Sequence, residues 1–143
     1  PIVNMSAVDL IFEEPIGLPR LFTDDKKLGQ ILRNFISNSL KFTQRGEVRV
    51  SACMENANEV RFAVSDTGVG IPEEMLGELF EDFSQIDSPL QKRWRGTGLG
   101  LSLCKRFAEL LGGRVGVQSK PGVGSTFVVI IPLAIAGEPG DEA

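Results

Sequence analysis

The tightest constraint on this chain is a helix written into residues 24–42. Leu28, Ile31, Leu32, Phe35, Ile36 and Leu40 recur at three- and four-residue intervals, the spacing of one buried helical face. Thr23 or Asp24 supplies a cap, so the helix is expected to run to about Phe42. A helix with one apolar face must bury it against another layer. The rest of the chain supplies that layer in short alternating runs.

Val48, Val50 and Ala52 alternate with polar residues, and Val60, Phe62 and Val64 do the same after Asn56-Ala57-Asn58. The two runs read as an antiparallel hairpin. Upstream, Val8 to Glu13 reads as a short strand and Arg20-Leu21-Phe22-Thr23 as a second, with Pro15, Gly17 and Pro19 marking the turn between them. Leu99, Leu103, Phe107 and Leu110/Leu111 mark a second core helix that stops at Gly112-Gly113. Arg114 to Ser119 and Thr126 to Ile131 form a closing hairpin around Pro121-Gly122. Between Pro72 and Arg95 the pattern weakens to a short helix over Glu73–Phe80 and a polar, proline-containing stretch, and an irregular segment of that length usually has a function. No internal repeat is present. The order of elements predicts a two-layer α/β sandwich, a mixed, mostly antiparallel sheet with helices on one face.

Composition bounds what such a domain does. The 143 residues and 42% apolar content suit one core, placed over residues 1–133, with a disordered tail rich in Gly, Pro and acidic residues over 134–143. No run approaches the roughly 20 apolar residues that cross a bilayer, and the N-terminus lacks the layout of a signal peptide. A soluble, cytoplasmic fragment is expected. The net charge of -4 argues against a nucleic-acid surface. Cys53 and Cys104 have no metal-binding spacing and read as reduced, partly buried thiols. The chain contains no histidine.

Three motifs carry chemistry. Asp66-Thr67-Gly68-Val69-Gly70 follows a predicted strand, and its two glycines let the backbone turn sharply and approach a flat ligand, with the strand-end carboxylate free to accept from an adenine amino group. The same pattern also makes an ordinary tight turn. Gly96-Thr97-Gly98-Leu99-Gly100-Leu101 opens the second helix, where exposed N–H groups and the helix dipole favour phosphate. It lacks the Gly-Lys-Ser/Thr ending of a P-loop, and no strand immediately precedes it. On the first helix Asn34, Asn38 and Lys41 fall at intervals of four and three on one side. Their amide oxygens can ligate Mg²⁺ and the ammonium can meet a phosphate; a solvated helix face has the same pattern.

In this order, with Phe80-Glu81-Asp82-Phe83 between the glycine motifs and Gly122-Val123-Gly124-Ser125-Thr126-Phe127 after them, the chain resembles the catalytic domain of sensor histidine kinases. These belong to the superfamily shared with gyrase, heat-shock chaperone and mismatch-repair ATPases. The resemblance runs from about Asp24 to Pro132 and includes the N box, Asn34 to Thr43. It implies the Bergerat-type ATP-binding fold, with ATP held between the helices and a flexible lid over Pro72 to Arg95. It also implies roles. Asp66 would contact the adenine amino group, within the glycine turn of Gly68 and Gly70. Asn38, with help from Asn34, would ligate Mg²⁺, and Lys41 would face phosphate. In the Gly96 to Leu101 run the backbone of Gly98, Leu99 and Gly100 would cradle the phosphates. Thr126 would support the adenine site from behind, and Phe80 and Phe83 would anchor the lid.

Two departures from the family pattern matter. Arg95 stands where many relatives have a glycine, so it either stiffens the lid or contacts phosphate with Lys92 and Arg93. Asn34 stands where ATP-hydrolysing relatives carry a glutamate, and an amide cannot act as a general base. Transfer to an acceptor histidine on a separate dimerisation and phosphotransfer segment is therefore expected, with a response regulator receiver downstream and the isolated domain monomeric. An ATPase, a protein-serine kinase and a non-catalytic nucleotide-binding module are the alternatives.

Overall fold

A computed structural model describes residues 8–15, 17–77, 79, 80 and 101–134. Phe83, Lys92, Arg93, Arg95, Gly96, Gly98, Leu99 and Gly100 lie outside the described residues, as does the tail from 135.

The first helix, α1, spans Asp25–Lys41. Asp24 caps it: Oδ1 accepts from the Lys26 and Lys27 backbone N–H groups at 3.0 and 3.2 Å, and Oδ2 meets Lys27 Nζ at 3.0 Å. These contacts, the Lys27 side chain first, hold its carboxyl below the usual range. Leu28, Ile31 and Phe35 are buried as the periodicity requires, but the buried face continues through Asn38, Ser39 and Phe42, while Leu40 is exposed. The three- and four-residue spacing counts Leu40 in the core, and the structure does not. The face set by Leu28, Ile31 and Phe35 passes through 38 and 42, three and seven residues beyond Phe35, and leaves position 40 on the flank.

Among the described residues five strands form one sheet: β1 (Val8–Phe12), β2 (Gly46–Met54), β3 (Glu59–Asp66), β4 (Arg114–Lys120) and β5 (Gly124–Pro132), in the order β1-β2-β3-β5-β4. Among these five strands only the β1–β2 pair is parallel. Such a pair needs a crossover, and α1 lies on that connection. Both expected hairpins are present. The expected strand over 20–23 is reduced to a single bridge between Phe22 and Ala134, with the Phe22 N–H donating to the Leu133 carbonyl at 2.8 Å. Pro19 has no N–H to donate and Asp24 already caps α1, so little chain is left to pair.

The expected helix over Glu73–Phe80 is shorter. As α2 it spans Glu73–Leu76 and ends at Gly77. The described part of the second long helix, α3, covers residues 101–110. Its Leu101, Ala108 and Leu111 just beyond it join Ile31 and Phe35 against inward-facing Val48, Val60, Val64, Phe127, Val129 and Ile131. Each fully buried side chain of this kind contributes about 1.5–3 kcal/mol relative to an exposed one. Phe35 and Phe127 stack at 5.3 Å, and Phe80 meets both edge-on at 6.4 Å. The anchoring role expected of Phe80 thus has its packing partners.

Both cysteines are free. Cys104 is buried and Cys53 is exposed rather than half-buried, since position 53 falls on the outward phase of β2.

Candidate functional site

Asp66 ends β3, in register with Ser125 of β5. The alternation that sends Val60 and Val64 into the core sends Asp66 to the same side, so a carboxyl sits where the apolar pattern would put another valine. Its Oδ1 accepts from the Gly68 N–H at 2.9 Å and from the Ser125 N–H at 3.2 Å. Burial pushes this carboxyl above its ordinary range, and the two amides and the neighbouring Ser39 hydroxyl pull it back. Ser39 Oγ is itself buried and does not complete a hydrogen bond. With both amides on Oδ1, the second carboxyl oxygen remains for an incoming donor.

The glycines after Asp66 make room for protein backbone. A Cβ on Gly68 would press on the Phe42 carbonyl and stand 2.7 Å from Thr43 Oγ1. The Val69 N–H donates to that same Phe42 carbonyl at 3.2 Å, so the turn is fastened to the end of α1. Gly70 has φ +76° and faces Lys120 and Pro121, and a Cβ on it would stand 2.7 Å from the proline Cα. A side chain there would be strained by its φ and by the contact. The motif alone explains both glycines by a sharp turn and by ligand approach. Contact with the N box and with the β4–β5 turn is the demand visible here.

Asn38 is 2% exposed, and neither end of its amide has a hydrogen-bond partner. A buried amide left unpaired costs about 1–3 kcal/mol. Thr43 Oγ1 is likewise buried and unpartnered. Asn34, expected beside Asn38 as a metal ligand, is engaged elsewhere: its Oδ1 accepts from Gln30 Nε2 at 3.2 Å, and its Nδ2 donates to Cys104 Sγ at 3.5 Å. It is turned toward α3. Cys104 in turn reaches the Ile31 carbonyl at 3.8 Å, and burial pushes its thiol up to about 11 despite Asn34. Lys41 is exposed at the last turn of α1, its Nζ 5.6 Å from the Phe42 ring centre.

Two further residues named from the sequence are placed as follows. The Leu101 side chain is fully buried in the core and leaves only its backbone to a ligand. Thr126 points to the opposite face of the sheet, where its hydroxyl meets Ser65 at 2.9 Å. The residue beside Asp66 is Ser125, one position earlier. It belongs with Ser119, which the sequence reading did not single out: the two hydroxyls are 2.9 Å apart. Alternation held the signal, because Val115, Val117 and Ser119, like Ser125, Phe127 and Val129, share the inward phase of their strands. Asp66, Ser119 and Ser125 line a cavity of about 390 Å³ with Thr67, Gln118, Lys120 and Thr126.

A mixed sheet layered on one face by an asparagine-bearing helix, with an inward carboxyl and a glycine turn at a strand end, defines a class. Residues 23–135 match the family of histidine kinase-, DNA gyrase B- and HSP90-like ATPases, and the chain belongs to it. Within that family its relatives are signalling kinases. The sensor histidine kinase AruS of Pseudomonas aeruginosa is 47% identical over 117 residues, 79% of this chain and 12% of AruS. Hybrid signal transduction histidine kinase B of Dictyostelium discoideum is 46% identical over 116 residues, 78% of this chain and 6% of that protein. The chain thus spans only a small part of these curated relatives. Full-length ShkA, crystallised with AMPPNP, superposes with a TM-score of 0.76 at 35% identity, covering 90% of this chain and 26% of ShkA. The nucleotide-free catalytic domain of the histidine kinase ThkA gives 0.71 at 26% identity, covering 89% and 81%.

Proposed function

We propose that this chain binds Mg·ATP and transfers the γ-phosphate to a histidine on a separate dimerisation segment of the same kinase, from which a receiver domain takes it on. The observation that carries the reading is Asp66, a carboxyl with one oxygen held by two amides and the other left for a base amino group. The AMPPNP bound to ShkA supports the same ligand class.

Asn38 fits a metal. Its buried, unpartnered amide oxygen is a hard ligand of the kind Mg²⁺ accepts, whereas the amide of Asn34 is spent on Gln30 and Cys104. Bound there, Mg²⁺ would neutralise phosphate charge. Lys41 can reach out from the end of α1 to add a second positive charge, and the backbone of 96–100 would supply N–H donors to the phosphates. No general base stands at position 34, which favours transfer to a positioned imidazole over attack by water.

Calorimetry should detect Mg·ATP binding by the isolated chain. Incubated alone with labelled ATP, it should acquire no acid-labile phosphate, because it has no histidine. Mixed with a helical segment bearing the acceptor histidine, it should label that segment slowly, since separation forfeits the effective concentration of a tether. Vigorous hydrolysis by the chain alone would overturn the kinase reading in favour of an ATPase. Binding without transfer to the partner would leave a non-catalytic nucleotide module.

A further inference from the structure

Ser119 sits where three segments meet. Its Oγ accepts from the Ile71 N–H at 2.7 Å and lies 3.0 Å from the Gly124 carbonyl and 2.9 Å from Ser125 Oγ. A hydroxyl has one proton and two lone pairs. Ile71 is fully buried, so its N–H has no recourse to water and takes one lone pair. The Gly124 carbonyl can only accept, so it takes the proton. The remaining contact is then satisfied only with Ser125 as donor and Ser119 as acceptor. Every valence of Ser119 Oγ is used, and the proton of Ser125 is drawn toward Ser119.

That orientation has a consequence at the base site. Ser125 is in register with Asp66 and on the same face. With its proton committed to Ser119, its oxygen offers only a lone pair, and it cannot donate to the carboxyl. Asp66 keeps one oxygen without a completed hydrogen bond, so Asp66 and Ser125 both present acceptors at the base position, and the Ser39 hydroxyl is the donor beside them. We propose that Ser119 is a positioning residue which, by holding the Ser125 proton, sets the preference of this site for a purine bearing an exocyclic amino group over one bearing a 6-oxo group. The inference rests on the proposed ATP-binding reading.

The test is calorimetry on the whole chain with Mg·ATP and with Mg·ITP, whose base carries an oxygen in place of the amino group. Ser119→Ala frees the Ser125 hydroxyl to donate to a 6-oxo group or to Asp66. The ATP-over-ITP preference should then fall about tenfold, the equivalent of one hydrogen bond. Ser119→Thr keeps the hydroxyl and a strand-compatible shape and should restore the parental ratio. Equal weakening of both nucleotides in Ser119→Ala would reveal a merely structural role and overturn the proposal. Ser125→Ala removes the oriented acceptor and must lower the same ratio; an unchanged ratio there overturns the proposal even if Ser119→Ala does not fold. On a Ser125→Ala background Ser119→Ala should change the ratio no further, and a second, independent loss would also count against the relay. Failure of the parent chain to bind ATP at all would overturn the proposed function and this inference together. Binding with an unaltered ratio in the variants would overturn only the latter.

Discussion

Asp66→Asn is the substitution that separates recognition from folding. The carboxyl oxygen that accepts from Gly68 and Ser125, at 2.9 and 3.2 Å, can be replaced by the amide oxygen without moving either backbone segment. Those two N–H groups leave the amide no choice of rotamer, because turning its NH₂ toward them would oppose donor to donor. The new NH₂ therefore occupies the position of the second carboxyl oxygen and faces the base. An adenine amino group would lose its acceptor there and meet a donor, at a cost of about 1–3 kcal/mol, or roughly 5- to 150-fold in Kd. Titration calorimetry with Mg·ATP reads the loss directly. Mg·ITP provides the internal control, since its 6-oxo group should bind the variant at least as well as it binds the parent. Equal ATP affinity in variant and parent, with the fold intact, would remove Asp66 from the base site.

The same variant should behave differently without nucleotide. Burial raises the Asp66 carboxyl above its ordinary value, so its contribution to stability is complete below the unfolded pKa and is lost as pH rises through the folded one. Nucleotide-free Asp66→Asn should gain on the parent in urea midpoint across that rise, and a constant difference would show that burial is not the governing cause. Cys104, pushed up to about 11, should resist alkylation at about pH 8 while exposed Cys53 reacts; mass spectrometry should find one adduct on the folded chain and two after denaturation, and two on the folded chain would contradict the burial. Phe80→Ala removes the ring that meets Phe35 and Phe127 edge-on and should cost about 1.5–3 kcal/mol in denaturant unfolding, whereas a neutral result would show that Phe80 does not anchor the segment after α2.

What could be read from the sequence was local. The period of α1, the alternation in β2 and β3, and the glycines that end α3 are repeated signals within single elements, each reinforced by several residues. The failures involve partners distant in the chain. Residues 20–23 have strand-like composition, but whether they form a strand depends on what lies alongside, and among the described residues only Ala134 offers a bridge. Asn38 falls on one side of the helix with Asn34 and Lys41 by the spacing of four and three. Its position relative to Leu28, Ile31 and Phe35 places it on the buried face instead. A lone amide cannot shift the hydrophobic pattern of a 17-residue helix, so the motif points to Asn38 while its burial is not legible.

The same limit explains the glycine motif. Asp-x-Gly-x-Gly and Gly-x-Gly-Ser-Thr-Phe look like two separate turns, yet they meet: Gly70 abuts Lys120 and Pro121, Gly124 abuts the backbone of Asp66 and Thr67, and the Gly122 N–H donates to the Val69 carbonyl at 2.8 Å. Each motif omits side chains where the other's backbone passes. Ser119 and Ser125 then tie the clasp to the carboxyl through Ile71 and Asp66. A substitution in either turn should therefore act on the base site through the other, and the effects of paired substitutions across the clasp should not add. Gly70→Ala combined with Pro121→Ala offers the direct measurement: the Cβ at 70 strikes the Lys120–Pro121 backbone and displaces that turn, so loss of the proline ring should cost less in the Gly70→Ala background than alone. The alanine at 70 should dominate both stability and ATP affinity. Full additivity of the two changes would mean that the turns are neighbours without being coupled.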